Sequence, residues 1–555
     1  MIDPILLAVL RGGLEQVAEE MDTVLAASAI SPVISDAWDR ASGIFHPETG
    51  DVIVQGSTGM PIFIVVMQHT VQEVLKDHPP DTMREGDVFI INDPYRGGTH
   101  TMDVKFVKPY FRDGKLKLLL ANTGHWPDVG GMTPGGFTPA STDVYQEGLR
   151  FPPVKIYEEG KLNVSLLKVM LCNMRLAEER RGDMAAQVNA LDLGCKRLDE
   201  LFDRYEERLI YEAISELDSR SERLMREHIA QIPDGTYQFE EQMDSDGVDP
   251  GPVRIAVTMK VLGSEIEFDL SDSAPQRRGP INSPYSSSVT GLMIAMKHVF
   301  ADVPINAGCF RPFHYVIPSG NMFNPIAPAP VSCSTTETVQ RLIGITMGAL
   351  AQALPGKVPA GSFGTGSNIG MGGNSPTRGP YATIFYFGGG YGASVDHDGL
   401  TNGSTLISAS RNSSIEVLEH SVPLLFTRYA VRDESGGAGE YRGGLGVEID
   451  FHLRDGTAYL TLVGDRGLKG PHGLCGGSDG LAADHVFHRQ GKSFKSEHGT
   501  KIDRLYIAAG DGIQMRTPGG GGYGDPVLRA RDRILDDVLD GYVADPDNPL
   551  AKSKV

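Results

Sequence analysis

One predicted β-hairpin in the first quarter of the chain constrains the fold around it, because one polar loop leads into its first strand and another follows its second strand. The segments KFVKPYF at 105–111 and KLKLLLANTG at 115–124 have strand-like composition, and the short RDG turn between them favours their pairing. The loop NDPYRGGTHTMDV at 92–104 leads into the first strand, and NTGHWPDVGG at 122–131 follows from the second. In a hairpin, the start of the first strand lies beside the end of the second strand, so we expect the two loops to converge in space.

Each of these loops places a histidine three residues before an aspartate, beside a pair of glycines. The residues are His100 and Asp103 in the first loop and His125 and Asp128 in the second. Imidazole and carboxylate together suit a divalent metal such as zinc, manganese or iron, and three or four such ligands leave a position for water or substrate. Hydrogen-bonded turn histidines are the alternative, because an isolated His-x-x-Asp is common. The repetition of the pattern in neighbouring loops favours the metal site.

Charge and composition exclude several classes of function. The chain has 51 basic and 71 acidic residues and a formal net charge of -20, which opposes binding to nucleic acid and to anionic membrane surfaces. No stretch approaches the ~18 apolar residues of a membrane span, and the N-terminal sequence lacks the pattern of a cleaved signal. The five cysteines form no CxxC pair, which argues against a disulfide scaffold and a thiolate zinc site. We therefore expect a cytoplasmic protein without nucleic-acid or membrane partners.

The spacing of apolar residues predicts helices in several places. An amphipathic helix is predicted from Ile5 to Leu25, and residues 162–230, which lack proline, are typical of long helices that form a hairpin of two. SSSVTGLMIAMKHVF at 286–300 and TETVQRLIGITMGALAQAL at 336–354 are apolar on nearly every side, which predicts helices buried between layers. The serines and threonines at their starts are typical of helix N-caps.

The remaining sequence alternates with period two and has frequent glycine turns after residue 360, which is typical of β-structure. FGTGSNIG in that region matches neither the dinucleotide nor the Walker fingerprint, so we expect no nucleotide site there. The fold class is therefore predicted as α+β, a mixed, β-rich, multi-layer fold with a long helical hairpin insertion and a Gly-rich all-β C-terminal region. The predicted units are an N-terminal α+β metal-site region, a long helical segment, a mixed β region with buried helices, a Gly-rich β region, and a C-terminal helix and tail, at 1–160, 161–232, 233–360, 361–530 and 531–555.

A set of motifs in a fixed order is similar to the hydantoinase B/oxoprolinase family. The motifs are INDPYRGGTHTMDV, NTGHWPDVGG, STDVYQEGLRFPPVKI, RGPINSP, NPIAPAPVS, SGGAGEYRGGLG and TPGGGGYGDP. The resemblance extends from the first helix to shortly before the C-terminus. This family includes the metal-bearing subunits of acetone and acetophenone carboxylases and of lactam-hydrolysing relatives.

The resemblance implies a two-component enzyme that works as a hetero-oligomer. The partner is a hydantoinase A-type subunit with an actin-like fold that binds ATP and phosphorylates the carbonyl or enol oxygen of the substrate. This chain then supplies the metal chamber, and a small third subunit accompanies the pair in acetone carboxylase. Three functions remain open: hydrolysis of a cyclic amide such as a hydantoin or lactam, carboxylation of a ketone through a phosphoenol, and a metal-free scaffold.

The resemblance also implies which residues bind the metal. The family's ligands fall on His100, Asp103 and His125, and a loosely preserved motif, WDRASGIFH, adds Asp39, with Asp36 as a competing choice. Relatives commonly have two adjacent histidines where this chain has His125 followed by a tryptophan, which is either a wall of the pocket or a core residue. The aspartate of the second loop, Asp128, is interpreted as a catalytic base or an acceptor that orients His125, with support of the DVGG turn as the alternative.

Overall fold

The computed structural model of the chain describes residues 2–408 and 410–543. The predicted C-terminal tail from residue 544 onward lies outside the described residues. The N-terminal region contains three helices and seven strands: α1 (Pro4–Ser28), α2 (Pro32–Ser35), β1 (Arg40–Phe45), β2 (Val52–Gln55), α3 (Pro61–Asp77), β3 (Val88–Ile91), β4 (Asp103–Arg112), β5 (Lys115–His125), β6 (Val154–Glu158) and β7 (Lys161–Leu162). Among the described residues, β1 to β7 form one sheet in the order β2-β1-β5-β4-β3-β6-β7.

The register of this sheet brings three chain segments together at one end of its central strands. In the β4–β5 hairpin, which the sequence predicts, Arg112 pairs with Lys115 beside the turn and Asp103 pairs with His125 at the open end. Strand β1 lies on the other side of β5, where Arg40 pairs with Gly124. The start of β4, the end of β5 and the segment before β1 are therefore neighbours, because adjacent strands lie about 5 Å apart.

Long helices cover this sheet. The helical region consists of α4 (Val164–Cys172), α5 (Ala177–Arg204) and α6 (Glu207–Ile229), so the predicted hairpin of two long helices is present, with a shorter helix before it. Helix α1 packs on α5 and α6 and buries one face, whose members recur every three or four residues: Leu7, Leu10, Leu14, Val17, Met21 and Leu25. Each such side chain contributes about 1.5–3 kcal/mol when fully buried, so this face anchors the first helix.

The middle region contains a second sheet and two buried helices. Its elements are β8 (Gly235–Met243), β9 (Val253–Leu262), β10 (Glu265–Asp269), α7 (Tyr285–Val299), α8 (Ala307–Phe310), β11 (Phe313–Val316) and α9 (Val339–Ala353), and its strand order is β11-β10-β9-β8. Helices α7 and α9 pack against each other and are largely buried, as predicted. The predicted side-chain caps are wrong. Pro284 and Thr338 occupy the N-cap positions without a side-chain hydrogen bond, and residues 334–338 form a π-helical turn that leads into α9.

Two further sheets and two helices make up the glycine-rich region. Their elements are β12 (Asn368–Ser375), β13 (Gly379–Phe385), α10 (Ile415–Ser421), β14 (Leu424–Val431), β15 (Val447–Leu453), β16 (Thr457–Val463), β17 (Asp484–Arg489), β18 (Lys492–Phe494), β19 (Ile502–Ala508), β20 (Gly512–Arg516) and α11 (Arg531–Leu539). The strand orders are β13-β12-β16-β19 and β14-β15-β20-β17-β18, and one hydrophobic core joins both sheets. Close backbone packing explains some of the glycines. A Cβ at Gly390 would lie 1.9 Å from the carbonyl oxygen of Gly444 and 2.4 Å from the nitrogen of Gly520.

The architecture agrees with the predicted fold class. Helices pack on the first two sheets, the helical hairpin follows the first sheet, and the glycine-rich region is dominated by strands. The predicted boundaries between the five units stay predictions. Within residues 2–408 and 410–543, none of the helices combines the length and the apolar character needed to cross a membrane.

Candidate metal centre

His100, Asp103 and His125 come together at the open end of the β4–β5 hairpin. Each offers one ligand atom, and these atoms all lie within 4.8 Å of one another. The Nδ1 atom of His125 lies 3.1 Å from Oδ1 of Asp103, and the Nδ1 atom of His100 lies 3.4 Å from Oδ2. The two imidazole rings stand at right angles with centroids 5.2 Å apart, and all three side chains are buried. The convergence predicted for the two loops is therefore present.

Local backbone geometry explains why the first loop reaches this point. Gly97 has φ +73°, and a Cβ there would lie 2.6 Å from the carbonyl carbon and oxygen of His69, so a side chain at this position would collide with backbone.

The hydroxyl of Thr99 donates to Oδ2 of Asp103. The ammonium of Lys105 donates to the Thr99 hydroxyl oxygen at 3.4 Å and to the Asp103 carbonyl oxygen at 3.2 Å. These contacts hold the Asp103 carboxylate in one orientation.

Several buried atoms of this group have no hydrogen-bond partner in the described part of the chain. They are Nδ1 of His100, Nε2 of His125 and Oδ1 of Asp39. Leaving one buried polar atom unpaired costs about 1–3 kcal/mol, and such atoms are rare in folded proteins. Nitrogen and oxygen donors that converge in this way suit a divalent cation. The residues present therefore fit the metal that the sequence predicts.

Asp39 lies beside this group and Asp36 does not. The carbonyl oxygen of Asp39 accepts a hydrogen bond from the backbone nitrogen of His125 at 3.0 Å, and its carboxylate Oδ2 lies 3.7 Å from Nδ1 of the same histidine. The preceding Trp38 has φ +63°, which turns the chain sharply before β1. Asp36 is exposed and accepts a hydrogen bond from the Ser35 hydroxyl. Of the two competing residues, only Asp39 approaches the histidines, and its role as a ligand stays a prediction.

Burial and mutual charge set the protonation of these groups. Burial lowers the pKa of His100 to about 4, and burial together with the Asp103 charge raises the pKa of Asp39 to about 7. Burial by itself would raise the pKa of Asp103, but the charges that His100 and His125 can carry outweigh it and hold that pKa well below its usual range. Burial by itself would lower the pKa of His125, and the two carboxylates reverse this, so its pKa is raised. Asp103 is thus an ionised acceptor beside a neutral His100.

We call His100, Asp103 and His125 the metal-binding group, after the role that is proposed for it. This group lies in a cleft that encloses about 1130 Å³, including its open mouth. The apolar lining comes from several elements and includes Ile62, Phe63, Phe137, Ile384 and Ile407. The ring of Phe137 contacts both histidines, with centroids 5.8 Å from His100 and 6.1 Å from His125. Sequence analysis missed this residue, since nothing in the turn-rich segment around it indicates an aromatic wall.

Asp128 and Trp126 point elsewhere. The Asp128 carboxylate is buried and accepts hydrogen bonds from the backbone of Gly130 and from the backbone and guanidinium of Arg175, at 2.9–3.1 Å. This geometry corresponds to support of the DVGG turn, and a catalytic role for Asp128 stays a prediction. Trp126 is fully buried and donates its indole N–H to Gln187 at 2.8 Å, so it is a core residue.

Part of the cleft lining is polar and was also missed by sequence analysis. It includes Thr336 from the π-helical turn, Gln340 from α9, and Gly366 and Asn368 from the GTGSN segment that runs into β12. That segment passes from coil into a strand, so it lacks the strand-loop-helix arrangement of a phosphate loop. Gly366 and Asn368 of this segment line the cleft instead.

Known proteins resemble this chain over nearly its whole length. The B component of a putative D-/L-hydantoinase of Pseudomonas sp. (strain NS671) is 32% identical over 561 residues, covering 98% of this chain and 93% of that protein. The crystal structure of the ATP-dependent caprolactamase from Pseudomonas jessenii aligns with a TM-score of 0.90 at 31% identity, covering 98% of this chain and 95% of that chain. A nucleotide-free structure of acetone carboxylase aligns with a TM-score of 0.87, covering 98% of this chain and 78% of that chain; at 18% identity, this similarity shows a shared fold.

The family assignment rests on a match that covers far more of the chain than any single motif does. The family model for hydantoinase B/oxoprolinase matches residues 3–526, which include both loops of the metal-binding group and the glycine-rich strands. The match agrees with the resemblance found in the sequence motifs and with the fold of the caprolactamase. The chain belongs to the hydantoinase B/oxoprolinase family.

Proposed function

We propose that this chain is the metal-binding catalytic subunit of an ATP-dependent hydantoinase/oxoprolinase-type complex that hydrolyses a cyclic amide. In this proposal a hydantoinase A-type partner first phosphorylates the carbonyl oxygen of the substrate. The observation that carries the proposal is the buried group of His100, Asp103 and His125 inside a largely apolar cleft. The names of two relatives, the B component of a putative hydantoinase and an ATP-dependent caprolactamase, support it.

His100, Asp103 and His125 would hold a divalent cation such as zinc, manganese or iron, with Asp39 as a fourth side chain. When bound, such a cation supplies Lewis acidity that stabilises negative charge on an oxygen of the substrate. Thr99 orients the Asp103 carboxylate, and Lys105 in turn holds Thr99. Mutation of residues that orient a metal ligand in this way typically lowers metal affinity or activity by 10–100-fold, so Thr99 and Lys105 belong to the proposed site.

The walls of the cleft protect an activated substrate. A phosphorylated amide carries a good leaving group, and attack of bulk water on its phosphorus would release phosphate and regenerate the amide. Productive attack on the ring carbon therefore needs a shielded chamber. The apolar side chains of Phe63, Phe137 and Ile407 line the cleft beside the metal-binding group, and Phe137 packs on both histidines, which limits their contact with solvent. Because the ATP-binding step lies on the partner, the intermediate must pass between subunits, which requires a stable complex. The alternatives are a ketone carboxylase subunit and a metal-free scaffold.

Reconstitution tests the reaction class. The purified chain is combined with a hydantoinase A-type subunit, and ATP hydrolysis is measured with hydantoins, with lactams, and with ketones plus labelled bicarbonate. We expect ATP hydrolysis that depends on a cyclic amide and yields a ring-opened product. Label incorporated into an organic acid would overturn the hydrolase proposal in favour of the carboxylase.

Elemental analysis tests the metal assignment independently of activity. We expect the wild-type chain to retain one equivalent of a transition metal, and His125→Ala to lose it while its circular dichroism spectrum is unchanged. His397→Ala is the matched control, because His397 is exposed and pairs only with groups of its own turn. Metal content near zero in the wild type would favour the scaffold, and equal metal content in the two variants would overturn the assignment of His125 as a ligand.

A further inference from the structure

Two chain segments far apart in sequence form a second polar feature in the wall of the cleft. Thr336 belongs to the π-helical turn before α9, and Asn368 is the first residue of β12. A Cβ at Gly366 would lie 2.5 Å from Nδ2 of Asn368 and 3.1 Å from Cβ of Thr336, so both side chains border the space beside this glycine. We call Thr336, Gly366 and Asn368 the polar notch.

Each of the two side chains of the polar notch has one polar atom that finds no partner among the described residues. Nδ2 of Asn368 and Oγ1 of Thr336 are buried and make no hydrogen bond, and Asn368 is only 3% exposed. Both residues line the cleft that holds the metal-binding group. Because buried amide and hydroxyl groups are nearly always paired in folded proteins, an unpaired donor in a cleft wall indicates a place for an acceptor of a ligand.

The surrounding backbone holds the polar notch in place. The carbonyl oxygen of Thr336 accepts hydrogen bonds from the Gly366 nitrogen at 2.9 Å and from Nε2 of Gln340 at 3.1 Å. The buried carboxylate of Glu337 accepts from the Gly366 nitrogen at 3.2 Å and from the Thr365 hydroxyl at 2.6 Å. The hydrogen bonds from Thr365 and Gly366 thus connect the segment before β12 to the π-helical turn. Turns of this kind occur frequently at functional sites.

One loop connects the polar notch to the metal-binding group. Phe137 packs on the rings of both His100 and His125. The next residue, Thr138, hydrogen-bonds through its backbone nitrogen and its hydroxyl to Ser332, just before the π-helical turn, at 3.3 and 2.9 Å. A substrate bound at the histidines therefore lies in the same cleft as the unpaired donors.

The charge of the lining indicates what kind of acceptor is bound. Among the described residues that line the cleft, Arg411 is the only lysine or arginine, and its guanidinium stacks on the ring of Trp38 at 3.8 Å. Asn368 and Thr336 are neutral donors. None of the three residues of the polar notch carries a positive charge, so a carboxylate would bury its negative charge against neutral donors, which is costly, whereas a carbonyl oxygen needs only such donors.

We infer that Asn368 and Thr336 are specificity-determining residues that donate hydrogen bonds to a second carbonyl oxygen of a neutral cyclic substrate. The first carbonyl is the one attacked beside the metal-binding group, so this inference rests on the proposed function. Hydantoins and cyclic imides have two ring carbonyls. Caprolactam has one, and 5-oxoproline has a carboxylate instead of the second. The geometry therefore favours hydantoins and cyclic imides over simple lactams and 5-oxoproline.

Kinetics of the reconstituted complex test the assignment. Asn368→Asp removes the amide donors at constant size, and Thr336→Val removes the hydroxyl. The measured quantity is the ratio of kcat/KM for hydantoin to kcat/KM for caprolactam. We expect this ratio to fall about tenfold or more in Asn368→Asp and about threefold in Thr336→Val. A ratio unchanged in both variants, with unchanged thermal unfolding, would overturn the inference.

Direct binding separates a failure of this inference from a failure of the proposed function. Hydantoin binding to the full chain is measured by calorimetry for the wild type, for Gly366→Ala and for Gly344→Ala. The first substitution fills the polar notch, while a Cβ at Gly344 would meet only a guanidinium nitrogen of Arg466 at 3.9 Å. We expect Gly366→Ala alone to weaken binding at least about tenfold. No binding by the wild type, or equal affinity in all three proteins, would overturn the inference even if the complex hydrolyses another cyclic amide.

Discussion

Replacing Asp39 by asparagine removes one negative charge from the proposed metal centre and preserves the size of the side chain. Oδ2 of Asp39 lies 3.7 Å from Nδ1 of His125, and the Asp39 side chain is 13% exposed. Asp36 lies three residues earlier, is exposed, and is not among the described residues that line the cleft. Asp36→Asn is therefore a matched control that makes the same chemical change in the same segment.

The size of the effect follows from this distance. With an effective dielectric constant of ~20, two opposite unit charges attract each other by about 4.5 kcal/mol at the 3.7 Å that separates Oδ2 of Asp39 from Nδ1 of His125, which sets the scale for a cation held by that histidine. The asparagine oxygen keeps part of the attraction and avoids the cost of burying a charge, so we expect a net loss of ~2 kcal/mol. Because ~1.4 kcal/mol corresponds to a factor of ten, metal affinity should fall about 30-fold in Asp39→Asn. In Asp36→Asn it should change less than about twofold, because solvent and salt screen an exposed charge.

The assay is competition for zinc between the full chain and a chromogenic chelator at fixed ionic strength. Thermal unfolding of the metal-free proteins checks that each variant is folded. Wild-type affinity in Asp39→Asn, or the same loss in both variants, would refute the assignment of Asp39 to the metal centre.

Three other outcomes are expected. Arg341 is 2% exposed and pairs with the buried Asp465, so Arg341→Met should lower the free energy of unfolding in urea by about 3–5 kcal/mol. As a control, Arg428→Ala, which breaks a half-exposed ion pair, should lower it by less than about 1 kcal/mol. Similar losses in the two variants would contradict the stabilising role of the buried pair. Burial raises the pKa of Glu147 from 4.5 to about 7, so the folded state holds this proton more tightly than the unfolded state. As the pH rises from 4.5 to about 7, the wild type should therefore lose up to about 3 kcal/mol of stability relative to Glu147→Gln. Parallel pH profiles of stability for the two proteins would contradict a raised pKa of Glu147. The isolated chain should show no ATPase activity, and turnover by the pure subunit would contradict the assignment of ATP binding to a partner.

Much of the proposed metal centre is predictable because its key contacts are local. The β4–β5 hairpin has a turn of two residues, Asp113 and Gly114, so its register and its open end follow from short-range pairing. That pairing alone places Asp103 opposite His125. Asp39 depends on a further strand pairing, between β1 and β5, and its assignment came from family resemblance, because no local rule connects residues so far apart in sequence.

The serines and threonines before α9 show where local rules fail. Their composition predicts a helix cap, but the chain forms a π-helical turn in which the buried Glu337 bonds to Thr365 and Gly366. Long-range packing against the segment before β12 therefore overrides the local preference for a cap. The same packing brings Thr336 into the cleft, which no spacing within the sequence could indicate.

The sequence by itself determined the α+β fold class, the hairpin, and the histidines and aspartate at its end, because apolar periodicity and tight turns act over a few residues. Only the tertiary structure decided that Phe137 covers the histidines, that Asp128 supports its own turn, and that Thr336 and Asn368 share one wall. Each of these depends on which distant backbones pack together. That choice is made by burial summed over the whole core, which cannot be read from any single stretch of the chain.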